Sequence, residues 1–276
     1  MGLMTGSGPL SARPAGSFNF EPPGPGSALY LEPTPKRVRV VIGGETIADS
    51  RRAMLLHESG HQPIYYFPRE DVRCEFLLDS DRHTHCPKKG EASYLSVRVG
   101  DRVEEAVAWY YPEPIESAPP LLRDMVAFYW TRVDHWFEED EEIFVHPRSP
   151  YTRVDALRST RTVRVERDGV VLAESSSPVM VFETGLPTRY YLNRAEVNVE
   201  HLLPTATVTA CPYKGKTSGY WSVRAGETDH LDLAWAYDFP TRQLLPIAGM
   251  VAFYNEKVDV TIDGRQLERP VTHFFR

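Results

Sequence analysis

The chain has 276 residues, 42% apolar and 25% charged, a globular composition with material for one large or two ordinary cores. A formal net charge of −7 argues against nucleic acid or an anionic membrane surface as the main partner, because both reward clustered Lys and Arg. Three cysteines, Cys74, Cys86 and Cys211, with no CxxC among them, leave no basis for a disulfide framework or a cysteine-rich zinc site, and a reducing cytoplasm is expected.

Residues 1–35 read as a disordered or extended tail rich in Gly, Pro and Ser, without the apolar core of a secretory signal. No apolar run of transmembrane length follows, so no membrane span is expected. From there the chain is written twice, as a first domain over 36–150 and its duplicate over 151–276. "VRVVIGGETIADS" from Val38 returns as "VRVERDGVVLAESS" from Val163, 125 residues on. The Asp168-Gly169 pair sits between alternating runs and predicts a tight type I′ hairpin.

"LLHESGHQPIYYF" (Leu55–Phe67) contains HExxH, the spelling of a zinc protease site, which works only on a helix where both histidines share a face. The local pattern is a strand running into a Gly turn, and the second copy has Phe182 and Leu186 where His57 and His61 stand. No metal site is expected here, nor at His83 and His85, whose counterparts are Val208 and Ala210. The glutamate and glycine do recur, as Glu183 and Gly185. "YYFPR" (Tyr65–Arg69) becomes "YYLNR" (Tyr190–Arg194), and "CPKKG" (Cys86–Gly90) becomes "CPYKG" (Cys211–Gly215).

"SVRVGDRVEEAVAWYY" predicts a hairpin turning at Gly100-Asp101, and in the copy "LDLAWAY" alternation places Leu231, Leu233, Trp235 and Tyr237 on one face. Only "PPLLRDMVAFY" and "LLPIAGMVAFY" have room for a turn or two of helix. "FEEDEE" (Phe137–Glu142) reads as a solvated turn. Many short strands with Gly and Pro turns predict an all-β protein of two tandem domains, each a sandwich or partly open barrel with short helical turns.

The paired signatures E-[ST]-G-x-x-x-x-Y-Y-x-x-R, C-P-x-K-G and M-V-A-F-Y resemble a bacterial and fungal family called domain of unknown function 427, in tandem form, over nearly the whole chain outside the tail. The resemblance implies a β-tent-like fold in each domain, similar to methionine sulfoxide reductase B and the thalidomide-binding domain of cereblon. Those relatives hold zinc between two CxxC pairs, which this sequence lacks. The family also carries a nucleotidyltransferase label that no residue pattern here supports.

Side chains kept by both copies are the candidate site. They are Glu58, Tyr66, Arg69, Cys86, Lys89, Trp109 and Tyr111 in the first domain, and Glu183, Tyr191, Arg194, Cys211, Lys214, Trp235 and Tyr237 in the second. Glu58 and Arg69 either clamp each other or edge a cleft, as do Glu183 and Arg194. The aromatics either fill a core or wall a cleft, in which Tyr66, Trp109 and Arg69 would line one concave pocket. Cys86 and Cys211, each near a lysine, are either buried strand ends or thiolate nucleophiles. Three functions are therefore open: a binding module for an unknown small molecule, an enzyme using cysteine or nucleotidyl chemistry, and an interaction protein whose domains form an intramolecular pair. The binding module is the favoured one, with no cofactor required.

Overall fold

The computed structural model describes residues 3–21, 28–272 and 275, which divide into two compact units, Leu3–Ser149 and Pro150–Arg276. Both are nearly all β. The first contains β1 (Leu29–Pro33), β2 (Val38–Ile42), β3 (Glu45–Ser50), β4 (Met54–Glu58), β5 (Ile64–Pro68), β6 (Leu77–Cys86), β7 (Gly90–Val99), β8 (Arg102–Tyr110), β9 (Met125–Phe128), β10 (His135–Glu138) and β11 (Glu141–Ile143). They form an antiparallel seven-stranded sheet, β1-β4-β5-β9-β8-β7-β6, and a four-stranded sheet, β11-β10-β2-β3.

Alternation along each strand decides what lies on either face of the large sheet. Tyr65 and Phe67 of β5 point into a core shared with the small sheet, where Val38, Val40, Ile47 and Trp136 meet Val97, Val107 and Phe128. Tyr66 points to the opposite face, with Tyr94, Trp109 and Ala127. That second face is covered in part by a 3₁₀ turn, Pro120–Asp124, which inserts Leu122. The turn falls where "PPLLRD" left room for one.

The second unit repeats this plan with β12 (Val154–Arg158), β13 (Val163–Arg167), β14 (Val170–Ser175), β15 (Val179–Glu183), β16 (Arg189–Leu192), β17 (Leu202–Pro204), β18 (Ala210–Cys211), β19 (Gly215–Lys216), β20 (Gly219–Ala225), β21 (Thr228–Ala236), β22 (Val251–Phe253), β23 (Asp259–Ile262) and β24 (Arg265–Gln266). Its sheets run β12-β15-β16-β22-β21-β20-β17 and β14-β13-β23-β24, with β18-β19 as a short ribbon. Asp168 and Gly169 both have positive φ, 49° and 81°, as a type I′ turn requires.

Three expectations are corrected. The segment 1–35 is not all tail, because β1 pairs with β4 and Leu29 and Leu31 pack on the aromatic face; its flanking prolines conceal a strand of five residues. Leu231, Leu233, Trp235 and Tyr237 do not share a face. Asp232 takes φ of 50° in a bulge, which leaves Leu231 79% exposed and sends Leu233 and Trp235 to opposite cores. The first unit has the same bulge at Ala106 (φ 46°), and in both a serine hydroxyl accepts the bulged N–H: Ser96 from Ala106 (2.9 Å) and Ser222 from Asp232 (3.2 Å). "FEEDEE" does turn, with Glu139 at φ 52°, but Glu138 is buried and accepts from Tyr65 Oη (2.8 Å) and Lys36 Nζ (2.5 Å).

Candidate functional site

The site grows from the turn between β6 and β7. Gly90 has φ of 102°, and a Cβ there would meet the Glu113 carbonyl oxygen at 3.1 Å, so only glycine turns the chain so closely. Gly215 repeats it with φ of 99°. The preceding residue, Lys89, donates its backbone N–H to Cys86 O (3.2 Å) and accepts at its carbonyl from Ile115 N (3.2 Å). Held at both ends, its side chain runs inward, 6% exposed, and Nζ donates to Glu58 Oε2 at the end of β4. Lys88 reaches the other carboxylate oxygen at 3.1 Å. Lys214 binds Glu183 in the same way, but Tyr213 stands where the first unit has Lys88.

Burial opposes the charge on Glu58, yet the hydrogen bonds and charges of Lys89 and Lys88 outweigh it and hold the carboxyl below its ordinary range. Burial likewise opposes the Lys214 ammonium, and the Cys211 sulfur, 3.9 Å away, with Glu183 keeps its pKa above the ordinary lysine value. Each glutamate thus has a lysine partner. The Glu58–Arg69 and Glu183–Arg194 clamps do not form.

Adjacent strands β5, β9 and β8 bring the aromatics together. Trp109 Nε1 donates to Tyr66 Oη at 3.2 Å across rings set edge to face, at 86° and 6.3 Å. Tyr129, just beyond β9, lies 4.6 Å from the Trp109 ring, and its hydroxyl meets that of Tyr94 at 3.2 Å. The second unit repeats each contact. Trp235 donates to Tyr191 (3.2 Å), Tyr254 lies 4.3 Å from the Trp235 ring, and the Tyr220 and Tyr254 hydroxyls bond. Burial raises the phenol pKa of Tyr66 and Tyr111, and that of Tyr191 to about 12, so all three stay neutral hydrogen-bonding groups.

In the first unit this cluster borders a cavity of about 500 Å³, a volume suited to a small molecule. Tyr66, Lys89, Tyr94, Trp109, Tyr129 and Trp136 are among its walls, and Tyr111 also lines it. Glu58, Cys86 and Arg69 do not. Arg69 starts a 3₁₀ turn, with its guanidinium 4.8 Å over the ring of Tyr110. Tyr110 packs against the inter-sheet core, on the face opposite Trp109, so alternation along β8 separates Arg69 from the aromatic cluster. Arg194 pairs with Asp238 (2.8 Å) and lies 5.8 Å over the Trp221 ring. The expected pocket of Tyr66, Trp109 and Arg69 therefore keeps two members and loses the third.

Cys86 is half-buried at the end of β6 against the aromatic cluster, and Cys211 ends β18. His57 lies on strand β4, not on a helix; its Nε2 is 2.8 Å from Glu32 Oε1, and burial lowers its pKa despite that carboxylate. Among the described residues no cluster of three or more His, Cys, Asp or Glu is placed to hold a metal.

Sequence reasoning missed Tyr94/Tyr220 and Tyr129/Tyr254 as site members, although both pairs recur and the second ends the repeated "MVAFY". It also missed Trp130 and Trp136, whose rings stack at 4.4 Å and 6°; the second copy gives no repeat of Trp130, where Asn255 stands.

The second unit differs at the position of Ile64, which lines the cavity. Its counterpart is Arg189, 7% exposed, whose guanidinium lies 5.9 Å from the Trp235 ring and 5.6 Å from that of Tyr254. Glu256 holds it by two bonds of 2.6 Å, with Asn255 Oδ1 at 3.2 Å, and Thr272 Oγ1 donates to the same carboxylate at 2.8 Å. Burial works against the Glu256 charge, and Arg189 prevails to lower its pKa.

The family model for a domain of unknown function, DUF427 (NTP_transf_9), matches residues 30–139 and 155–264, one segment in each unit. The chain belongs to this family, in two tandem copies. No curated protein matches the chain. No helix among the described residues is long and apolar enough to cross a membrane, which says nothing about strands that cross as a barrel.

Proposed function

We propose that the first unit binds a small molecule carrying a flat ring, which packs in the cavity bordered by Tyr66, Trp109 and Tyr129. The cavity beside these rings carries the reading: it has the volume of a metabolite site, mostly apolar walls and a few fixed polar groups. Among those groups are Lys89 Nζ and the hydroxyls of Tyr66, Tyr94 and Tyr129, which hydrogen bonds fix before a ligand arrives. Preorganisation of this kind lowers the entropy cost of binding. Cysteine chemistry has less support, since Cys86 does not face the cavity. Nucleotidyl transfer has less still, since no carboxylate of the described residues lines it. The net charge of −7 also leaves nucleic acid and anionic membranes outside the proposal.

Ligand-observed NMR of the full chain against a panel of ring-bearing metabolites tests this. Binding is expected for a subset, weakened about tenfold by Tyr129→Ala through loss of one stacking face. A panel without any binder, or binders indifferent to Tyr129→Ala with the fold intact by circular dichroism, would overturn it.

A further inference from the structure

Two features of the cavity bear on the charge of what enters it. The first is an excess of cation. Lys88 and Lys89 converge on one carboxylate, Glu58, so the cluster carries one net positive charge. Among the described residues of the cavity wall Lys89 is the sole Lys, Arg, Asp or Glu, accompanied by His61 and His146. An ammonium has three N–H donors, of which Glu58 takes one. The second unit lacks the excess, because Tyr213 replaces Lys88 and leaves Lys214 and Glu183 balanced.

The second feature is an unmet donor. Trp136 lines the cavity, is 3% exposed, and its Nε1 has no hydrogen-bond acceptor among the described residues. A buried N–H left so bears an uncompensated desolvation cost, which an acceptor on a ligand would recover. The same ring is fixed by Trp130, stacked on it, and by Tyr65 and Phe67 at 6.3 and 6.0 Å, so the indole is locked in place by packing. Donors line this cavity and carboxylates do not.

We propose that the ligand of the first unit is a planar aromatic monoanion, with Lys89 Nζ taking its anionic group and Trp136 Nε1 donating to an acceptor on it. This rests on the ring-binding reading above and adds the sign of the ligand's charge. A charge-assisted hydrogen bond is about twice as strong as a neutral one, so the anion is favoured over its uncharged isostere.

The test is calorimetric titration of the full chain with matched pairs: indole-3-acetate and its amide, 4-hydroxybenzoate and its amide, nicotinate and nicotinamide. In at least one pair the acid should bind about tenfold more tightly than the amide. In the double variant Lys89→Met with Glu58→Gln, which strands no buried charge, that preference should fall to about twofold or less while the amide still binds. If amides bind as well as acids, the anion is wrong and the ring site stands. A preference that survives in the double variant places the anion elsewhere than at Lys89 and overturns the proposal. If no member of any pair binds, the ring-binding reading falls for these classes, and the anion with it.

Discussion

The two units share a fold, a turn, a buried Lys–Glu pair and an edge-to-face Trp–Tyr pair, and differ in what meets the aromatic rings. In the first, Ile64 and Trp130 border a cavity. In the second, Arg189 lies over the rings and is clamped by Glu256 and Asn255. Three aligned positions change together, from Ile64, Trp130 and Thr131 to Arg189, Asn255 and Glu256. A buried guanidinium requires a carboxylate and an oxygen acceptor, and an apolar cavity requires neither. Duplication thus separates what both copies keep, the turn and the paired side chains, from what differs beside the aromatic rings.

The largest expected effect follows from the ion pair. Arg189→Ala strands the buried Glu256 carboxylate and should destabilise the second unit by about 3–5 kcal/mol, read by hydrogen exchange resolved along the chain. Replacing the pair with the first unit's residues, Arg189→Ile with Glu256→Thr, should recover most of that loss; no recovery would mean that the pair does more than fill space.

Next comes the lysine. Lys214→Met should cost the second unit about 3 kcal/mol, whereas Lys89→Met should cost the first unit less, because Lys88 remains 3.1 Å from Glu58 to hold its charge. Equal losses in denaturant titrations would show that Lys88 contributes nothing.

Acid should separate the units as well. Burial lowers the pKa of His57 below 6.5, so the fold favours the neutral ring; its contribution is full above that value and is lost as pH falls through the lower folded one. Glu58 and Glu256 are also lowered, from 4.5, so their contributions are full above that value and are lost as pH falls from it through their lower folded values. The first unit should therefore begin to weaken at higher pH than the second, which has Phe182 at the matching position. His57→Phe should remove that earlier phase from stability measured against pH.

Arg69→Ala should have the smallest effect, about 0.5–1 kcal/mol for its contact with Tyr110, and none on ligand binding. A loss of binding in that variant would return Arg69 to the site.

Much of this was legible in the sequence. Recurrence alone put Tyr66, Lys89, Trp109 and Tyr111 into one candidate set, and these four do border one cavity. Its limits have physical causes. Recurrence identifies positions that matter without saying which face they occupy, and Arg69 recurs as faithfully as Lys89 while sitting on the far side of the sheet. Period-2 alternation fails where a bulge takes a residue into positive φ, as at Ala106 and Asp232, and no glycine marks either place. The Arg189 contact lies in a departure from the repeat. Its meaning depends on β16 standing beside β22, so that Arg189 meets Asn255 and Glu256 across the strands.

The central claim is that the first unit receives a ring while Arg189 occupies the second unit's aromatic cluster. Calorimetric stoichiometry on the full chain, with whichever ring compound binds best, tests it most directly. The account predicts one site per chain, weakened about tenfold by Tyr129→Ala and unchanged by Tyr254→Ala. Two equivalent sites, or binding lost with Tyr254→Ala alone, would contradict it.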